Sequence, residues 1–212
     1  MERLREGWER LDRVAEHVEG HAGADRHGRL LHPFAGLGAY PVGAGQQLAV
    51  GDQVPDFELL DHSGNQRQLS QLVGGDPTVL HFYRGWWCPK EQAFFRRLLA
   101  LQEDAEVAYS RMVSVSVDPP QVNAAFRAGL GARWTFLSDP DRQIQTQLRL
   151  RETTDTLNDP YVPAVVVIGP DLRIHAAYNG YWYWGRPTQD ELLCHLRDIS
   201  RDLRPDWEAP TP

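Results

Sequence analysis

Thr78-Val79-Leu80-His81-Phe82-Tyr83-Arg84-Gly85-Trp86-Trp87-Cys88-Pro89-Lys90-Glu91 decides the fold. Thr78 to Tyr83 is apolar and β-branched or aromatic with one interruption, His81, which is the pattern of a strand buried on both faces. Gly85 permits a turn. Pro89 suits the first position of a helix, where its missing N–H would have no intrahelical partner. From Glu91 the period becomes helical: Phe94, Phe95, Leu98, Leu101 and Ala105 share one face, while Arg96, Arg97, Glu103 and Asp104 fall largely elsewhere. Cys88 therefore stands at the entrance of a helix. The free N–H groups and partial positive charge of that end favour thiolate over thiol, and Arg84 and Lys90 add positive charge nearby. Glu91 opposes this if ionised, or caps a free N–H near Cys88. The alternative reading of Cys88 is a small apolar residue buried at a strand–helix junction.

Working outward, Phe57–Leu60 and Gln66–Leu69 read as a hairpin around Asp61-His62-Ser63-Gly64-Asn65, and Ser70 starts a helical turn. After the Cys88 helix come a strand at Arg111–Val117, a helix at Val122–Leu130 and a short strand at Trp134–Leu137. Ser138 or Asp139 is expected to cap a helix reaching about Leu150, with Pro140 near its start. Val162–Ile168 and Leu172–Tyr178 form a hairpin, and a last helix runs from about Thr188 to Leu203. This order predicts an α/β chain: a mixed central sheet with helices on both faces, plus the early hairpin and a helical extension. The predicted division is an N-terminal helix and connector at 1–49, the main domain at 50–203 and a tail at 204–212. Within the first part, Leu4, Trp8, Leu11, Val14, Ala15 and Val18 give residues 1–19 an apolar helical face. The Gly- and His-rich connector that follows shows no sustained period.

The chain has 212 residues, 42% of them apolar, and a formal net charge of −7. That balance argues against nucleic acid or an anionic membrane as partner. No apolar run approaches the ~20 residues of a membrane span, and the charged start leads into no apolar signal core. A cytoplasmic protein is expected if the chain is the natural full length. Its two cysteines, Cys88 and Cys194, make neither a disulfide framework nor a zinc site. His17 and His21 have ligand spacing but lack further ligands, so no metal is expected, and no cofactor. His81 and His175 are read as structural rather than as general bases.

Val54-Pro55-Asp56-Phe57-Glu58-Leu59, Phe82-Tyr83-Arg84-Gly85-Trp86-Trp87-Cys88-Pro89-Lys90-Glu91 and Val162-Pro163-Ala164-Val165-Val166-Val167-Ile168 together resemble the thioredoxin-like superfamily. Within it they resemble the peroxiredoxin-like proteins of the alkyl hydroperoxide reductase and thiol-specific antioxidant type, over about 50 to 203. The resemblance implies a thioredoxin-like fold and a peroxidatic Cys88, with Arg84, Gly85, Trp87, Glu91 and Pro163 around the substrate. It also implies a small peroxide or disulfide as substrate and an external thiol as reductant, and it is compatible with a homodimer.

Three departures bear on the activity. The family's Thr or Ser three residues before the cysteine, and the Pro four before that, are replaced by Gly85 and His81 in a shorter turn. The Arg expected at the start of a late strand is replaced by Pro163, which resembles the cis-proline of thioredoxins. A related branch carries a second cysteine where Glu91 stands, so no Cys-x-x-Cys disulfide can form. Cys194, in the last helix, is the sole candidate resolving cysteine; its alternative is a packed helix cysteine. The Tyr178-Asn179-Gly180-Tyr181-Trp182-Tyr183-Trp184-Gly185-Arg186 run reads as core or interface, or as a ligand wall. Three functions stay open: a one-cysteine thiol peroxidase, a monothiol disulfide or electrophile reductase, and a non-catalytic binding protein.

Overall fold

The structure is a computed structural model that describes residues 23–24, 30–31, 48–179 and 185–204. The chain divides into two compact units, 1–44 and 45–212. The first contains a short antiparallel pair, β1 (Gly23–Ala24) and β2 (Leu30–Leu31). This pair falls in the stretch expected to be an irregular connector, because a ladder two residues long leaves no period to read. The helix expected over 1–19, residues 180–184 of the aromatic run and the tail beyond Arg204 lie outside the described residues.

In the second unit, seven strands form one mixed sheet in the order β4-β3-β7-β6-β5-β8-β9. They are β3 (Glu58–Asp61), β4 (Gln66–Gln68), β5 (Thr78–Phe82), β6 (Arg111–Ser116), β7 (Thr135–Ser138), β8 (Ala164–Ile168) and β9 (Ile174–Asn179). β5, β6 and β7 run parallel, and β8 is antiparallel to β5, with Phe82 opposite Ala164. Every residue of β5 and β8 is buried, which explains their unbroken apolar runs.

Alternate side chains of these strands feed two cores. Leu80, Phe82, Ala164 and Val166 join a cluster with Leu69, Leu72 and Val73 of α1 (Leu69–Val73) and Ile144 of α4 (Gln143–Gln147). Val79, Tyr83, Val165 and Val167 face the other way. There they meet Phe94, Phe95, Leu98 and Leu101 of α2 (Pro89–Val107), and Leu192, Leu196 and Ile199 of α5 (Gln189–Leu203). Phe126 of α3 (Pro120–Leu130) packs against the same cluster. Helices thus cover both faces of the sheet, as predicted.

The helix expected from Ser138 to about Leu150 is the element read too long by the widest margin. α4 starts only at Gln143, and its N-cap Arg142 has a left-handed φ of 58°. Asp139 still caps it, from further upstream: its carboxylate accepts from the N–H groups of Gln143 and Gln145 at 2.9 Å each, and from the Tyr161 hydroxyl at 2.6 Å. Asp139 and Pro140 therefore sit in a turn rather than in the helix. α5 is closed by a reciprocal capping box: Thr188 Oγ1 accepts from Glu191 N–H at 3.2 Å, while the Glu191 carboxylate accepts from Thr188 N–H at 2.7 Å.

Candidate active site

The chain leaves β5 at Phe82 and enters α2 at Pro89, so six residues make the crossing, and their geometry places the thiol. Cys88 is the N-cap of α2 in extended conformation, with Pro89 next. Its N–H donates to Gly85 O at 3.2 Å, and its carbonyl accepts from the N–H groups of Glu91 and Gln92 at 3.1 Å each. Gln92 also reaches back to Trp86 O at 2.8 Å. The turn has room for glycine alone at 85: φ is 147°, and a Cβ there would lie 2.6 Å from Trp87 Nε1 and 3.2 Å from Asp118 Oδ2. The N–H groups of Cys88 and Glu91 at the helix entrance are thus spent on the turn and the helix.

A buried polar network supports this turn from below. Asp118 accepts from Trp86 N–H at 3.1 Å and from Ser116 Oγ at 3.3 Å. Burial pushes the Asp118 carboxyl up, and these two donors partly offset it. Asn123, fully buried, accepts from the Tyr83 hydroxyl at 2.5 Å. It donates to the carbonyls of Asp118 and Leu137 and to Ser138 Oγ, tying α3 to β5, β6 and β7.

Glu91 is fully buried one turn into α2. Its Oε1 accepts from Arg186 Nη2 at 2.6 Å and, more weakly, from Arg84 N–H at 3.4 Å. Its Oε2 lies 3.5 Å from His81 Nε2, a long electrostatic contact. Burial alone would raise the Glu91 carboxyl, but the Arg186 guanidinium and then His81 outweigh it and hold the group at about 2. His81 is lowered as well, here by burial itself, with Glu91 opposing. The triad is thus a carboxylate, a guanidinium and a neutral imidazole at neutral pH. Arg186 also sits over the Phe94 ring, 5.0 Å from its centroid. Glu91 caps neither Cys88 nor its own helix end; it anchors Arg186.

Arg84 stands at the end of β5 with its Nη2 on Asp155 Oδ2 at 2.8 Å and its guanidinium 5.1 Å from the Trp87 ring. Pro163 is buried one residue before the Ala164–Phe82 pair, so the register sets it beside Tyr83 at the same end of the sheet. Its peptide bond is trans, since no cis bond occurs among the described residues, and the likeness to a thioredoxin cis-proline fails. Cys88 is 3% exposed, whereas Cys194 is exposed on α5. Both are free thiols, and the expectation of a packed Cys194 is corrected: at that position the apolar stripe of α5 runs through Leu192, Leu196 and Ile199.

The AhpC/TSA family profile matches residues 50–177. The chain belongs to that family. It is 37% identical over 130 residues to "Putative peroxiredoxin Rv1608c" of Mycobacterium tuberculosis (strain ATCC 25618 / H37Rv), an alignment covering 60% of this chain and 82% of the relative. It superposes on the crystal structure of peroxidoxin BcpB from Mycobacterium tuberculosis with a TM-score of 0.60 and 27% identity, over 72% of this chain and 99% of that one. A thiol peroxidase from Chromobacterium violaceum shares the fold at a TM-score of 0.63 and 16% identity, over 73% and 89% of the two chains. This AhpC/TSA chain is accordingly a peroxiredoxin-like thiol oxidoreductase of thioredoxin-like fold.

The sequence had shown no AhpC/TSA-type arginine, because it was sought at the start of β8, where Pro163 stands. The structure brings in Arg186 from beyond β9, 5% exposed. Its signal was faint: a lone cation closing an aromatic run, followed by Pro187 and the Thr188 cap. Asn123 and Asp155 were missed too, since neither belongs to a motif.

Proposed function

We propose that this chain is a thiol peroxidase acting through Cys88. The observation that carries the reading is a single buried thiol at the N-terminus of α2, within an AhpC/TSA chain, above a fixed Glu91–Arg186 pair. The Cys88 thiolate attacks one oxygen of the hydroperoxide. An S–O bond forms, the O–O bond breaks, and the second oxygen leaves with a proton as water or an alcohol. Cys88 becomes a sulfenic acid. An external thiol then displaces water to give a mixed disulfide, and a second thiol releases Cys88 and leaves as the oxidised disulfide.

Charge on the leaving oxygen requires a donor in place of the absent hydroxyl. Arg84 Nε and Arg186 Nε and Nη1 are buried nitrogens without a hydrogen-bond partner among the described residues. They are the proposed donors, with Arg84 four residues before Cys88 in the same turn and Arg186 held by Glu91. Gly85 and Trp87 shape the turn, and Pro163 closes the end of the sheet beside it. The cover over Cys88 favours a small peroxide over a protein disulfide, whose exchange needs access of a second sulfur to the thiol.

The deciding experiment is the rate of Cys88 sulfenic acid formation with hydrogen peroxide and an organic hydroperoxide, in a Cys194→Ser background. Oxidation orders of magnitude faster than that of a free thiol is expected, and Arg84→Ala is expected to slow it about 10²-fold. A rate equal to that of a free thiol would refute the proposal. Reaction with small disulfides but not with peroxides would instead favour the monothiol reductase.

A further inference from the structure

Away from Cys88, β9 and α5 bring together three metal-ligating side chains with no part in the proposed chemistry. His175 comes from β9, and His195 and Asp198 from α5. Their ligand atoms all lie within 4.8 Å of one another. His195 and Asp198 are three apart on a helix and so share a face. The two imidazole rings are 5.6 Å apart at 71°. We propose that His175, His195 and Asp198 form a binding site for a divalent transition-metal ion of the Zn2+ class.

Chemistry and geometry support this class. Two imidazoles and one carboxylate suit zinc and its neighbours, and three protein ligands plus water complete a four-coordinate shell. Bonds of about 2.1 Å put tetrahedral ligand atoms about 3.4 Å apart. Closing the trio from its present spread of up to 4.8 Å takes side-chain movement of at most about 1.4 Å for the widest pair, which its partly exposed position permits. Tyr178 Oη lies 2.9 Å from His195 Nε2, so the proposed ligand atom of His195 is Nδ1, with Tyr178 the outer-shell partner of the opposite nitrogen. One contact competes: Arg201 Nη1 lies 3.3 Å from Asp198 Oδ1. That pair is an exposed i,i+3 bridge, weak in solvent, which a metal–carboxylate bond outweighs. Cys194 precedes His195 on the helix and is exposed. It projects from a different face and is not assigned as a ligand.

The site is tested with untagged full-length Cys88→Ser protein titrated with Co2+ and then Zn2+. The expected result is d–d absorption of a low-coordinate cobalt ion at one equivalent, bleached by Zn2+, without a thiolate charge-transfer band. His175→Ala and Asp198→Asn are each expected to lose more than the roughly tenfold in affinity that even an outer-shell change costs. Both sit at partly exposed positions, and circular dichroism of the metal-free variants checks that the fold survives. Zn2+ is expected to raise the Tm of the parent in proportion to log concentration and to leave that of His175→Ala unmoved. No cobalt spectrum, or one unchanged by both variants, overturns the site. A charge-transfer band lost on Cys194→Ser overturns the ligand assignment.

Discussion

Gly85 shapes the turn that carries Cys88, and Arg186 pairs with Glu91 one turn into α2. At Gly85 the backbone angle and the Trp87 ring both exclude a side chain. Gly85→Ala is expected to cost about 1–3 kcal/mol, read from urea unfolding, and to slow Cys88 oxidation because Trp87 must shift. Arg186 neutralises Glu91 at a place where neither is hydrated. Arg186→Met leaves a buried carboxylate without its cation, a loss of about 3–5 kcal/mol. Combining it with Glu91→Leu should restore much of that stability while peroxide reactivity stays low. If the double variant oxidised Cys88 as fast as the parent, Arg186 would have no role beyond packing.

At the scale of elements, the site depends on how α2, α3 and α5 meet the carboxyl end of β5. The Thr188 capping box starts α5 two residues after Arg186 and so fixes where that arginine enters. Thr188→Ala is expected to cost about 1 kcal/mol, with a parallel fall in the oxidation rate. Asn123 binds three strands to α3 through buried donors and acceptors. Asn123→Ala strands the Tyr83 hydroxyl and Ser138, and should cost about 2–3 kcal/mol in equilibrium unfolding. A loss under 0.5 kcal/mol would mean that water enters the space.

For the whole molecule, the buried triad sets an acid limit. His81 is lowered from its ordinary 6.5 mainly by burial. As pH falls below 6.5, the unfolded chain takes up a proton that the folded chain refuses, and stability declines. His62 and His195, also lowered by burial, act in the same sense. Glu91 is held at about 2 against an ordinary 4.5. Its contribution is complete above 4.5 and is lost as pH falls toward 2. Asp118, raised by burial, works in the opposite direction. Unfolding free energy should therefore drop in two stages on acidification. His81→Phe should shrink the upper stage to the part that His62 and His195 supply, and should narrow the lower stage by the share of the Glu91 shift that His81 provides. A single transition near pH 4 in the parent would contradict this assignment. Among the described residues no helix is long and apolar enough to cross a membrane.

The sequence by itself determined the sheet, the helix entered at Cys88 and the turn at Gly85, because these follow from local causes. Periodicity places a buried strand, a missing N–H places Pro89, and a missing Cβ places Gly85. The same reasoning overran at Ser138–Leu150: a carboxylate, a proline and an apolar stretch imitate a long helix. Only the tertiary structure showed that Asp139 turns to Tyr161 and caps from outside. It also decided which charges meet. Arg186 reaches Glu91 across 95 positions of chain, and Asp155 reaches Arg84 across 71. No sequence period records such pairings, since an ion pair depends on where backbones pass in space. The burial that drives His81 and Glu91 in opposite directions likewise exists only once α2 and α5 close over the sheet.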